Sequence, residues 1–281
     1  MTPRELLRQA AGQLRQAGIP DPEVDGALLL SHLTGRAPLA LRLDSDHPLP
    51  QDTEAQFNAL LARRLRREPL QYLTGEACFL GRVFHVDGRV LIPRPETELL
   101  AERAIAALRC FPAPASALDL CCGSGCLGIT MALEAPGAQV ELADLSLDAL
   151  AVARENALRL HAEVNLHQGD LFDAVAEQRY HVIVSNPPYI PAGECPQLQA
   201  EVLQEPRMAL DGGADGLSFY RRIAAEACAH LHPGGVLLLE VGWNQGEAVR
   251  QLLAEAGLAR TAVHPDFQNI PRMVEGHAPE V

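Results

Sequence analysis

Apolar residues recur at helical spacing through the first seventy positions, and the period then changes twice. Leu6, Leu7, Ala10, Ala11 and Leu14 share one face of residues 4–17, and Gly18 interrupts the run. Asp21-Pro22-Glu23 carries a helix-start signature, with an acid at the cap, proline at the first helical position and an acid in the first turn. Ala27 to Leu30 and Leu33 continue that helix to Gly35. After Pro48 and Pro50, a third helix is expected from Asp52 to Arg67, with Phe57, Leu60, Leu61 and Leu65 on one side. Residues 1–75 therefore read as a small three-helix bundle. Between 76 and 92 the spacing shortens. Phe79, Val83, Phe84, Val86, Val90 and Leu91 surround the turn residues Gly81 and Asp87-Gly88, which is the pattern of a linking β-hairpin.

From 93 to 281 short apolar runs alternate with helical stretches. Strands are expected at Ala117–Leu120, Val140–Ala143, Val164–His167, Val182–Ser185, Val236–Val241 and Thr261–His264. Helices fall near 97–109, 126–134, 147–160, 216–230 and 245–256. This alternation predicts an α/β domain with a doubly wound, mostly parallel, Rossmann-like sheet covered on both faces. Ligands of such sheets bind beyond the carboxyl ends of the strands, where strand order reverses.

The candidate chemistry sits at those ends. The first strand runs into Cys121-Cys122-Gly123-Ser124-Gly125, a glycine loop opening a helix. Such a loop lets backbone approach a ligand, and it serves NAD, FAD and S-adenosylmethionine alike. Asp144 ends the second strand, where a carboxylate can accept from both hydroxyls of a ribose; a cap of the helix opening near Ser146 would need the same residue type. Asp170-Leu171-Phe172 follows the third strand and suits an adenine, with a carboxylate or backbone for its amine and apolar side chains for its ring. The fourth strand ends in Asn186-Pro187-Pro188-Tyr189. Two prolines fix φ and remove two N–H donors, so the carbonyls of this turn act as pure acceptors. The Asn186 oxygen and the Pro187 carbonyl can hold both hydrogens of a planar –NH2 group while Tyr189 packs on its plane. An amide nitrogen is a poor nucleophile; holding its hydrogens favours pyramidalisation and stabilises the developing positive charge. Alignment with a methyl sulfonium supplies much of the remaining rate, and the motif offers no base.

Composition narrows the class. With 48% hydrophobic and 21% charged residues, the chain has the make-up of an ordinary globular protein. No apolar run approaches a membrane span and the N-terminus has no signal-peptide core, so a cytoplasmic enzyme is expected. The odd count of seven cysteines argues against a disulfide framework, no pair has C-x-x-C spacing, and no metal is expected. Net charge is −13, and every basic residue is arginine. Residues 1–80 hold 9 Arg against 10 acids, whereas 81–281 hold 14 Arg against 26 acids. That distribution disfavours unaided binding of nucleic acid. The one basic run, Arg63-Arg64-Leu65-Arg66-Arg67, reads as a solvated helix face in preference to a contact patch.

The ordered set of motifs resembles the peptide chain release factor glutamine N5-methyltransferases. The resemblance spans nearly the whole chain: the helical region, Glu68 to Gly75, Val90-Leu91-Ile92-Pro93-Arg94-Pro95-Glu96-Thr97-Glu98, Asn186 to Tyr189, and Gly242 to Arg250. It implies a seven-stranded sheet, whose usual last strand Ile270–His277 matches only loosely, and an S-adenosylmethionine site built from Cys121 to Gly125, Asp144, Asp170, Leu171 and Asn186. It implies a glutamine held by Asn186, Pro187, Pro188 and Tyr189, with Asn186, Pro187 and Tyr189 catalytic. The implied substrate is the Gly-Gly-Gln glutamine of class 1 release factors, with residues 1–75 as a docking domain and a monomeric enzyme. Cys121 departs from the family's first loop glycine, and Leu171 replaces an aromatic found in some members. Arg94, Glu96 and Glu98 could serve the site or merely cap and pair the helix they open. Three other readings are a glutamine methyltransferase acting on a ribosomal protein, an adenine-N6 nucleic-acid methyltransferase with the same turn, and a binding module that lost catalysis. The last is disfavoured by intact Asn186 and Tyr189, and the nucleic-acid enzyme by the missing basic groove.

Overall fold

Five helices, not three, form from the first 75 residues of the computed structural model, which describes residues 1–280. Helix α1 (Pro3–Gln16) opens with a reciprocal capping box: the Glu5 amide donates to the Thr2 hydroxyl and the Thr2 amide to the Glu5 carboxylate, at 3.3 and 3.0 Å. Helix α2 (Pro22–Thr34) starts at Pro22 as expected, but the Asp21 side chain makes no capping bond, so proline geometry rather than an acid cap sets this start. It ends at Gly35, whose φ of 67° lets its amide reach the Ser31 carbonyl. Helix α4 (Gln51–Leu65) is the third expected helix. The two unexpected ones, α3 (Pro38–Leu43) and α5 (Leu70–Thr74), each bury one residue, Leu41 and Leu73. A turn and a half holds too few apolar positions to show a period.

These helices form one unit, Met1–Glu76, into which Gln199–Gln204 also packs. Its core gathers Leu6, Leu14, Leu29, Leu30, Leu41, Phe57, Leu61 and Leu73. The arginine run is only partly the solvated face expected. Arg64 is 5% exposed and donates to Asp25 (2.7 Å) and Glu201 (3.0 Å), while Arg67 donates to Glu201 (2.9 Å) and the Gly18 carbonyl. Helical phase turns Arg64 inward, where ion pairing offsets its desolvation.

The second unit holds Ala77–Leu198 and the described residues from Glu205 onward. Its hairpin, β1 (Glu76–Phe79) and β2 (Arg82–His85), turns at Leu80-Gly81 and stops at His85, short of the expected 92. Asp87-Gly88 belongs to a separate turn, where Arg89 donates to the Asp87 carboxylate. Phe79 and Phe84 meet edge to face at 6.1 Å inside the sheet's core.

The remaining strands are β3 (Ser116–Leu120), β4 (Gln139–Asp144), β5 (Asn165–Gln168), β6 (Tyr180–Ser185), β7 (Leu231–Glu240), β8 (Ala259–Pro265) and β9 (Pro271–His277). They form one seven-stranded sheet in the order β5-β4-β3-β6-β7-β9-β8, antiparallel only where β9 meets its neighbours. The loosely matched tail is thus a full strand between β7 and β8. Helices α6 (Pro95–Leu108), α7 (Cys126–Glu134), α8 (Leu147–Leu160), α9 (Ser218–His230) and α10 (Gly246–Glu255) follow the expected spans. Alternate strand residues face opposite layers. Ala117, Val140, Leu142, Val182 and Val184 enter the core containing the hairpin, whereas Leu118, Leu120, Ala143 and Ile183 enter the core containing α9 and α10 residues. Strand order reverses at β3, between β4 and β6, which places the ends of β3, β4, β5 and β6 around one crevice.

Candidate active site

That crevice is a cavity of about 360 Å³ within the second unit. Its wall includes Cys121 and Gly123 after β3, Asp144 at the end of β4, Asp170 and Leu171 after β5, and Asn186 and Pro188 after β6. Arg89, Val90 and Leu91 close one side, and Met208 and Phe219 another. Cys122, Ser124, Gly125, Pro187 and Tyr189 lie outside this lining. Cys122 and Ser124 are buried beneath the loop, and Gly125 is the left-handed N-cap of α7, where a Cβ would stand 2.9 Å from Ile129.

Asp144 organises the glycine loop. Its Oδ2 accepts from the Gly123 amide (2.9 Å) and its Oδ1 from the Ser146 amide (2.8 Å). Capping itself falls to Ser146, whose hydroxyl accepts from the Ala149 amide at 3.1 Å. A carboxylate offers about four acceptor sites, so Asp144 keeps capacity to accept from a ligand. Burial pushes its carboxyl above the ordinary range, against those backbone bonds. Asp119, one strand inward, is fully buried and accepts from the Gly128 amide at 2.8 Å; burial pushes it up to about 8. Asp170 pairs with Arg222 at 2.9 Å, and Leu171 rather than Phe172 faces the cavity. Phe172 stacks on His230 at 4.4 Å instead.

The Asn186 turn is braced from behind by residues to which neither periodicity nor motif assigned that part. Ser185 donates to the Leu120 carbonyl at 2.7 Å, locking the ends of β6 and β3 together. The Asn186 amide nitrogen donates to the Thr97 hydroxyl (3.3 Å), which donates to the Glu240 carboxylate (2.6 Å). Glu240 ends β7 and is 3% exposed; burial pushes it up to about 7, against the pull of Thr97, Arg272 and Asn186 and with that of Glu96. The Tyr220 hydroxyl donates to the Glu240 carbonyl at 2.8 Å. Gln245 donates to the Tyr189 carbonyl (2.9 Å) and accepts from the Gly242 amide (3.0 Å). Gly216 is required beside it, because a Cβ there would sit 2.3 Å from the Tyr189 carbonyl oxygen. Burial raises the Tyr189 hydroxyl to about 12, so it remains protonated at neutral pH.

The segment Ile92 to Glu98 is tied down in three directions. Glu205 accepts from the Ile92 amide at 3.0 Å and pairs with Arg94. Glu98 accepts from the Leu80 amide in the hairpin turn at 2.8 Å, and Thr97 joins Asn186 to Glu240. Sequence marked this segment as a motif without assigning those duties, because each partner lies on a different element. Among the described residues, no group of three or more His, Cys, Asp or Glu side chains is placed to hold a metal, and no helix is long and apolar enough to cross a membrane.

Two family models match the chain, one described as the PrmC N-terminal domain over residues 5–75 and one as the methyltransferase small domain over residues 97–215. The release factor glutamine methyltransferase of Cereibacter sphaeroides is 45% identical over 282 residues, covering 99% of each chain. That of Geobacter sulfurreducens is 41% identical over 276 residues, covering 98% of this chain and 96% of its own. Among solved structures, the T. thermophilus 16S rRNA N2 G1207 methyltransferase, determined with AdoMet and guanosine, superposes with a TM-score of 0.54 at 21% identity. It covers 72% of this chain and 49% of that one, a likeness of fold.

Proposed function

The chain belongs to the release factor glutamine methyltransferase family, and from that premise we propose that it methylates the side-chain nitrogen, N5, of the Gly-Gly-Gln glutamine in class 1 peptide chain release factors, with S-adenosylmethionine as donor. The observation that carries this reading is the Asn186-Pro187-Pro188-Tyr189 turn, whose Asn186 and Pro188 line the cavity, with the Asn186 amide engaged through its nitrogen. Its Oδ1 is then the acceptor presented to an incoming –NH2.

The wall residues suit the donor. Asp144 supplies a carboxylate with spare lone pairs for a ribose diol, Cys121 and Gly123 line the same space, and Leu171 supplies an apolar surface for an adenine. Bound S-adenosylmethionine brings a methyl group on a cationic sulfur, already electrophilic. The chain's own part is orientation. Asn186 Oδ1 and the Pro187 carbonyl hold the two amide hydrogens, and Tyr189 and Pro188 restrict the amide plane. These contacts strengthen as the nitrogen gains positive charge, so they favour the transition state over the ground state. The protonated Tyr189 hydroxyl is no base at neutral pH, which agrees with alignment as the main source of rate. Residues 1–75 serve as the docking domain for the protein substrate, and the lack of a basic excess suits a protein rather than a nucleic-acid partner.

The test is mass spectrometry of the Gly-Gly-Gln peptide after incubating release factor with enzyme and labelled donor. One added methyl on the glutamine is expected. Asn186→Ala should lower kcat by about 100–1000-fold, the usual cost of one transition-state donor or acceptor. Label appearing on a ribosomal protein or DNA with release factor untouched would overturn the assignment, as would near-normal turnover in Asn186→Ala.

A further inference from the structure

We propose that Thr97 and Glu240 are positioning residues that dictate which way the Asn186 amide faces, so that only the enzyme with ionised Glu240 presents an acceptor oxygen to the substrate amide. The proposal rests on the functional reading above for its consequence in turnover, but its geometry stands alone. A carboxylate can only accept hydrogen bonds, so the single Thr97 hydrogen is committed to Glu240 Oε2 at 2.6 Å. Thr97 Oγ1 is then left with lone pairs alone. The group of Asn186 facing it at 3.3 Å must be the donor, Nδ2, and Oδ1 must point the other way. Glu240 also attracts the same Asn186 amide group directly. A negative charge behind the amide nitrogen further polarises Oδ1 and makes it a stronger acceptor.

Protonating Glu240 reverses this order. The carboxyl hydrogen can be donated to Thr97, whose own hydrogen is then released towards Asn186. An amide oxygen satisfies that donor, so the amide turns over and its –NH2 replaces Oδ1 on the cavity side. The substrate –NH2 would then meet a donor instead of an acceptor, and its nitrogen is no longer held in the orientation that reacts.

The groups acting on Glu240 are few. Glu96 and Thr97 face it from α6, Arg272 from β9 and Asn186 from the turn after β6. Its field also reaches Tyr189 on that turn, Tyr220 on α9 and Cys126 on α7. Burial raises all three of these last groups, the first and third to about 12, so they stay neutral around pH 7. The carboxyl whose titration can turn the amide near neutrality is Glu240, pushed up to about 7 by burial.

Three measurements on the full chain test this. In wild type, kcat for release factor should rise with pH through about 7. Thr97→Val, which keeps the shape and removes the hydroxyl, should lower kcat about 10–100-fold with little change in KM for release factor or in donor affinity. Thr97→Ser should recover most of that rate, and Glu240→Gln should be slow and insensitive to pH between 6 and 8. Independently of turnover, the side-chain amide resonances of Asn186 should shift together with the Glu240 carboxyl in an NMR titration, and Glu240→Gln should abolish the shift. If wild type leaves release factor unmethylated, the functional reading fails while the NMR titration still decides the relay. Asn186 resonances that stay fixed while Glu240 titrates would overturn the relay, as would a folded Thr97→Val within twofold of wild-type kcat. Should Thr97→Val not fold, the wild-type titration and Glu240→Gln decide the matter.

Discussion

Cys121 takes a left-handed backbone conformation, φ 59°, where β3 bends into the glycine loop. For a side chain bearing Cβ this region costs roughly 1–2 kcal/mol, and glycine is free of that cost. A cysteine in place of glycine therefore changes the strain of this bend and not its path: the bend forms all the same. Burial and the Asp144 carboxylate push the Cys121 thiol far above its ordinary range, so it is a packing group rather than a reactive one. Cys121→Gly should exchange relieved strain against lost packing and a more flexible unfolded chain, leaving Tm within about 3 °C of wild type. Donor affinity, measured by calorimetry, should hold or improve. A fall in Tm beyond about 5 °C would show that thiol packing outweighs the strain. Leu171, φ 55°, repeats the situation across the cavity, and no local signal in the sequence announces either conformation.

At the scale of elements, the hairpin and the glycine loop are held by one buried side chain on α8. Asn156 accepts from the His85 amide (2.6 Å) and donates to the carbonyls of His85 (3.0 Å) and Ser124 (2.9 Å). Removing it takes a hydrogen-bond partner from three backbone groups, the Ser124 carbonyl among them in a buried setting. Asn156→Ala should cost about 2–4 kcal/mol, read as a lower denaturation midpoint with an unchanged slope. A loss under about 1 kcal/mol would mean that water or a shift of the hairpin replaces the bonds. Sequence patterning located α8 to the residue and the sheet strands to within a few residues, because each buries enough apolar positions to show its period. It overlooked α3 and α5, which bury one residue each, and it extended the hairpin past His85 because Val86 and Val90 continue the apolar pattern. The Asn156 clamp was beyond it, since His85 lies 71 residues away.

For the whole molecule, two buried carboxyls set the pH dependence of stability in the opposite sense to surface ion pairs. Asp119 is raised from 3.8 to about 8 and Glu240 from 4.5 to about 7, both chiefly by burial. A raised folded-state pKa contributes stability that is complete below the unfolded value and is lost as pH climbs through the folded one. Tm should therefore fall by about 5 °C or more between pH 6 and 8.5, the interval in which turnover rises. Asp119→Asn combined with Glu240→Gln should flatten the curve and raise Tm at pH 8.5 even as activity drops. A Tm that rises over this interval would contradict the assignment of both groups as buried acids. Opposed trends in stability and activity are expected where a strained or desolvated charge serves the chemistry.

By itself the sequence determined the layering, the strand and helix order of the second unit, and the strand ends at which chemistry would collect. These follow from apolar period and from glycine and proline placement, which are local properties. It also marked Asn186 to Tyr189 as a rigid acceptor turn, since two prolines constrain the backbone whatever surrounds them. Tertiary structure alone decided what stands behind that turn. Thr97 and Glu240 are separated by 143 residues and meet only because α6 packs against the end of β7, and Gln245 reaches back 56 residues to the Tyr189 carbonyl. Hydrogen-bond direction and the cost of burying a carboxyl depend on such long-range neighbours, so no local pattern encodes them.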